Sequence, residues 1–197
     1  GNGARCFGNF AAALLHHDKT APLPFETMAG VVTATFEKDG NVTVNLTNPH
    51  SMQLFVLNTD PTVGADVHFL NTGVPHAVAF LDKLEDLDIP RLGAYLRYHE
   101  AFSPKGTNAN FARILSPGHI AIRTYERGVE DETLACGTGM TACALLHAVL
   151  TDAPSPIQVD VAGGDTLKVG FQRTGDRFTD VTLTGPADLV FTGDIQI

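Results

Sequence analysis

Two segments of this chain carry the same pattern, and any fold must accommodate both. Gly1-Asn2-Gly3-Ala4-Arg5-Cys6-Phe7-Gly8 leads into an Ala/Leu-rich run ending at His16, and Gly137-Thr138-Gly139 leads into an apolar run containing Cys143, Leu145, Leu146 and His147. Each is a glycine-rich turn feeding a stretch long enough for a buried helix. Strand-like segments follow both. Residues 30–46 read as two strands joined at Asp39-Gly40, a strong hairpin signal. Residues 157–183 read as three strands, turning near Gly163-Gly164-Asp165 and Thr174-Gly175-Asp176. A helix followed by antiparallel strands, twice over, predicts two similar lobes.

The chain between the copies is strand-rich. Residues 55–57, 67–73 and 77–81 read as short strands, with a turn at Val74-Pro75-His76. Pro90 sits inside the start of a modest helix reaching His99, with Asp88 or Ile89 as its N-terminal flank. Gly106-Thr107-Asn108-Ala109-Asn110-Phe111 passes from a polar loop into a strand. Ile120-Ala121-Ile122-Arg123-Thr124-Tyr125 then alternates as a half-buried strand does and delivers Glu126 and Arg127 at its end. Thr47-Asn48-Pro49 is the expected lobe boundary.

The bulk properties exclude several classes. With a net charge of −9 and no Lys/Arg cluster, the chain lacks the basic face that nucleic acid requires. No apolar run approaches the roughly 18 residues of a membrane span, and no leader pattern opens the sequence. Three cysteines without framework spacing suit a reducing compartment, and the cytoplasm is expected. His16, His17 and Asp18 adjoin at a helix end, where solvent exposure accounts for them, so no metal is expected. Gly137-Thr138-Gly139-Met140-Thr141-Ala142 fits a dinucleotide fingerprint, but that motif needs an apolar strand before it. Here Glu130-Asp131-Glu132 precedes it.

Cys136 stands immediately before the second glycine pair, at the expected start of a helix. Free N–H groups and the positive end of the helix dipole favour an anion there, which lowers a thiol's pKa. A free cysteine is otherwise a small buried hydrophobe, and Cys6 and Cys143 read that way. Glycines leave the same N–H groups open to a ligand carboxylate. A thiol, a histidine and an acid around paired helix starts fit one chemistry, inversion of an amino-acid centre. One group removes the α-proton from one face and a second returns a proton to the other. The helix N–H groups stabilise the carbanion through its carboxylate, without a cofactor.

Taken in order, GNGARCF at 1–7, NTGVPHAV at 71–78, GTNANF at 106–111, YERGVEDETLACGTG at 125–139 and GPADLVFTGDI at 185–195 resemble the diaminopimelate epimerase family. The resemblance implies an α/β (α+β) fold of two pseudo-symmetric lobes, each a curved, mostly antiparallel sheet around a central helix. Residues 1–46 would belong to an incomplete N-terminal lobe, 47–187 to the C-terminal lobe, and 188–197 to a final strand returning to the first. It implies Cys136 as one of two catalytic thiols, Glu126 as the acid assisting it, and His76 as the histidine near the other. Gly137 and Thr138 would hold the α-carboxylate of the substrate, Gly1 and Asn2 would be further substrate-binding residues, and Asn108, Glu126 and Arg127 would hold its distal amino-acid end. A guanidinium fork suits that second carboxylate. Taken alone, Arg127 also reads as half of a surface ion pair and His76 as a hydrogen-bonded turn residue.

The resemblance further implies a homodimer acting on a small amino-acid substrate without cofactor. Two departures stand out. The family's other thiol precedes the glycine that is Gly1 here, so the expectation for this chain by itself is an inactive epimerase. Val74 replaces a substrate-binding asparagine of some members. A proline racemase-like or hydroxyproline epimerase-like enzyme is the alternative, or a non-catalytic ligand-binding remnant.

Overall fold

The computed structural model describes residues 1–28 and 30–194. In chain order the elements are α1 (Asn2–Leu14), β1 (Leu23–Thr27), β2 (Gly30–Phe36), β3 (Val42–Asn45), β4 (His50–Asp60), β5 (Ala65–Asn71) and β6 (Pro75–Phe80). Then come α2 (Ile89–Tyr98), β7 (Asn108–Ser116), β8 (His119–Glu126), β9 (Asp131–Thr133), α3 (Gly137–Thr151), β10 (Ile157–Asp160), β11 (Thr166–Thr174) and β12 (Arg177–Gly185). Among the described residues no helix is long and apolar enough to cross a membrane.

The repeat read from the sequence is present as two helix-plus-three-strand units. After α1, β1–β2–β3 pair antiparallel; after α3, β10–β11–β12 do the same. The β2–β3 turn follows its Asp-Gly signal: Gly40 takes a left-handed φ of 89°, and Asp39 accepts from the Asn41 N–H at 3.0 Å. The third strands of the two units pair with each other antiparallel, from Val42 opposite Gly185 to Asn45 opposite Thr182. A two-fold relation between the units produces that register. One sheet therefore runs β1-β2-β3-β12-β11-β10-β8-β7-β6-β5-β4, with β9 added on β8. Its open edges are β1, a strand not foreseen from the sequence, and β4, which is longer and more bulged than its apolar centre suggests.

Strand alternation builds a core on each side of β5–β8. One face presents Leu70, Val78, Ala112, Ile120 and Ile122 to α3; the other presents Val67, Ala77, Ala79, Ala109, Phe111 and Tyr125 to α2. Helix α3 is buried nearly all round, which its uninterrupted apolar sequence requires. Helix α2 begins as expected: Asp88 caps it by accepting from the Arg91 N–H at 3.2 Å, with Pro90 in the first turn. Residues 46–49 carry the chain from β3, inside the sheet, to β4 at its far edge. After β12 the chain runs without strand pairing to residue 194, tied to α1 where Asn9 Nδ2 donates to the Ala187 carbonyl at 2.7 Å. Residues 195–197 of the expected final strand lie outside the described residues.

Candidate active site

The α3-facing side of β6–β8 changes character along its length. Below lie Val78, Ala112 and Ile122; at the end where α3 begins, the same face carries His76, Asn108, Asn110, Thr124 and Glu126. Register aligns them, with His76 opposite Asn108 and Asn110 opposite Thr124. Period-two alternation thus delivers a row of polar side chains to one helix start.

Two helix starts meet at that row. Gly1 is the N-cap of α1 and Cys136 the N-cap of α3. A Cβ on Gly137 would lie 3.2 Å from the Gly1 Cα, so only glycine lets the two backbones come this close. Asn2 spans the junction: its Nδ2 donates to the Ala135 carbonyl at 3.2 Å, and its Oδ1 accepts from Arg5 Nη1 at 3.1 Å. The Thr72 hydroxyl, in the β5–β6 turn, donates to the Thr138 carbonyl at 2.9 Å and fixes the α3 start from the other side.

Cys136 is 6% exposed, with Sγ 3.6 Å from the Thr138 hydroxyl. The expectation of a lowered thiol pKa is not met. Burial pushes the thiol up, and the neighbouring Glu126 charge adds to this; the Thr138 hydroxyl and the N–H groups of Thr138 and Gly139 pull the other way and do not prevail. The balance favours the thiol over the thiolate. Glu126 is half-buried and accepts from the Thr133 hydroxyl at 3.1 Å. It ends β8, and the turn after it is held by Glu130, which takes Arg97 Nε and the Gly128 N–H, each at 3.1 Å.

Asn108 is buried and accepts the Arg127 backbone N–H at 2.7 Å, so these two expected partners are joined through the main chain. The Arg127 guanidinium donates from Nη1 to the Lys105 carbonyl at 3.1 Å. It lines a cavity of about 420 Å³ together with Asn71, Gly73, Pro75, Lys105 and Gly106. Val74 is half-buried in the turn before His76. His76 is fully buried, and burial, with Arg127's charge acting the same way, holds its pKa down at about 3, so the ring is neutral near pH 7. The other two thiols stand apart: Cys6 is exposed on α1, and Cys143 lies fully buried two turns along α3.

Three participants were not foreseen. Asn110 and Thr124 sit inside strands as ordinary polar residues, and Thr72 inside a turn. Only the period-two face they share with His76 and Glu126 hints at their place.

The large curved α/β sheet with few helices is the fold of proline racemase and PhzF-family structures. A probable proline racemase from Agrobacterium radiobacter superposes with a TM-score of 0.66 at 20% identity, over 94% of this chain and 64% of its own. A hydroxyproline epimerase from Agrobacterium vitis gives 0.62 at 19%, over 84% of this chain and 56% of its own. Sequence narrows the class. Residues 68–190 match the diaminopimelate epimerase family. Diaminopimelate epimerases from Hydrogenobaculum sp. and Aquifex aeolicus are each 41% identical, covering 98% and 100% of this chain and 68% and 69% of their own lengths. That of Chlorobaculum tepidum is 39% identical over 100% of this chain and 74% of its own. The chain belongs to the diaminopimelate epimerase family, a family of isomerases.

Proposed function

We propose that this chain carries one half of a two-sided acid/base pair that interconverts LL- and meso-diaminopimelate at the α-carbon. The observation that supports this best is the buried Cys136 thiol at the α1–α3 junction, where the Glu126 charge acts on it. Glu126 takes the thiol proton as substrate binds, and the resulting thiolate removes the α-proton on its face. In the reverse direction the thiol returns it. The N–H groups at the starts of α1 and α3 receive the α-carboxylate, whose charge grows as the carbanion forms. The distal end lies toward the cavity lined by Arg127, whose guanidinium suits a carboxylate. Cys6 is exposed on α1 and Cys143 is fully buried in α3, so among the described residues neither is read as the second acid/base thiol. By itself this chain exchanges the α-proton without inverting the centre. A cytoplasmic homodimer acting in amino-acid biosynthesis completes the reading.

Incubation with LL-diaminopimelate in deuterated water tests it. Deuterium should enter the α-position without appearance of the meso form, and Cys136→Ala should abolish the uptake. Proline should neither exchange nor protect Cys136 from alkylation. Deuterium uptake that survives Cys136→Ala would remove the thiol from the mechanism. Exchange of proline in place of diaminopimelate would favour a proline racemase-like activity.

A further inference from the structure

Asn110 has no role in the reading above, yet it is fully buried at the centre of the polar row. Its Nδ2 donates to the Ala77 carbonyl at 2.9 Å and lies 3.1 Å from His76 Nδ1; its Oδ1 accepts the Thr124 hydroxyl at 3.1 Å. A carbonyl can only accept, so the Ala77 contact decides which end of the amide is nitrogen. The same amide nitrogen faces His76 Nδ1, and two donors cannot face each other. Nδ1 must therefore be the bare, accepting nitrogen, and the ring proton resides on Nε2. That Nε2 is itself buried and without a hydrogen-bond partner among the described residues.

Asn110 is also wedged against the helix that carries the thiol. A Cβ on Gly139 would collide with Asn110 Oδ1 and lie 3.4 Å from Cys136 Sγ, so amide and thiol border the same small space. Hydrogen bonds to Ala77 and from Thr124 hold the two ends of the amide.

We infer that Asn110 is a positioning residue that fixes His76 in its neutral Nε2–H form, so that His76 meets a bound ligand as a hydrogen-bond donor and not as a proton acceptor. Burial and the Arg127 charge keep the ring neutral, and the Asn110 contact selects which nitrogen carries the proton. A buried donor without a partner loses free energy until something accepts from it. A carboxylate oxygen of bound substrate at the helix junction supplies that partner. The inference rests on the proposed diaminopimelate reading only for the identity of that acceptor; the tautomer follows from the chain's own contacts.

The test is a long-range ¹H–¹⁵N correlation spectrum of the full chain labelled with [¹⁵N]histidine, near neutral pH, with His76 assigned by its loss in His76→Gln. The expected pattern is a protonated Nε2 and a bare Nδ1. In Asn110→Asp the carboxylate accepts in place of donating, and the proton should move to Nδ1; in Asn110→Ala the ring should become a mixture of tautomers. A protonated Nδ1 or a cationic ring in the unaltered chain overturns the inference, whatever the variants do. So does a ring unchanged in either folded variant. Addition of LL-diaminopimelate should shift the Nε2–H signal. If the tautomer is as expected but the ligand leaves it unmoved, the substrate assignment fails and the role of Asn110 stands.

Discussion

Cys136 is subject to opposing influences. The α3 start offers N–H groups that favour a thiolate, while burial and the Glu126 charge favour the thiol, and the second pair prevails. The sign fixes a prediction. In the ligand-free chain, alkylation of Cys136 should rise only at pH values above the ordinary thiol range of about 8.5. Glu126→Gln removes the repelling charge, so the profile should move to lower pH, back toward that range. An unmoved profile would show burial alone to be responsible. The sequence placed Cys136 correctly at a helix start but gave the wrong direction for its proton affinity. Helix position is local, whereas burial comes from residues such as Asn110, which arrive on distant strands. Asn108 and Arg127 were legible together only through the family resemblance, and the structure joins them by the Asn108 side chain and the Arg127 N–H. Asn110 was not, because its partners lie 34 and 14 positions away and nothing in an isolated strand marks an asparagine as a tautomer lock.

The elements that set the site are short and depend on one another. Helix α2 does not touch Cys136, yet it sets the height of β8, which ends in Glu126. The contact is through Gly93, where an added Cβ would run into the Tyr125 Cβ and ring. Because that Cβ is fixed to the strand backbone, no rotamer change relieves the clash. Gly93→Ala gains about 1 kcal/mol of helix propensity and loses about 1–3 kcal/mol to overpacking. We expect a net loss of about 1 kcal/mol, read as a Tm lowered by roughly 2–4 °C for a chain of this size. The displaced β8 should slow the Cys136-dependent exchange as well. A higher Tm would mean that α2 is free to shift. Capping made α2 and the hairpin at Gly40 readable in advance, since Asp88-x-Pro90 and Asp39-Gly40 signal through their own backbones. Strand β1 had no such marker: its register comes from β2 alone.

At the scale of the molecule, β5–β8 serve two cores at once. Leu70, Val78, Ala112 and Ile122 face α3, while Val67, Ala77, Phe111 and Tyr125 face α2. Neither core can dissolve without stripping one side of strands the other needs, so unfolding should be a single transition. The chain has no tryptophan, and its three tyrosines, Tyr95, Tyr98 and Tyr125, all report on α2 and its neighbours. Cys143, fully buried in α3, reports on the other core. Tyrosine fluorescence and Cys143 accessibility should share one urea midpoint. A tyrosine transition at lower urea would show that the α2 layer opens first. The two-lobe plan was legible because each unit repeats in sequence. The joining of both units into one sheet was not, since it depends on pairing β3 with a strand near the other end of the chain.

The antiparallel seam between β3 and β12 is the contact that two identical copies of a helix-and-three-strand unit would make across a dyad. Such a contact is isologous and closes on itself, leaving no surface there for a further copy. The chain thus has the form of a dimer written as one polypeptide, as duplication of an ancestral unit would leave it. In a true dimer any substitution appears on both sides of the axis. Here each side is encoded separately, so Asn2 and Thr138, which follow Gly1 and Gly137, can differ while the pairing of the two units is kept.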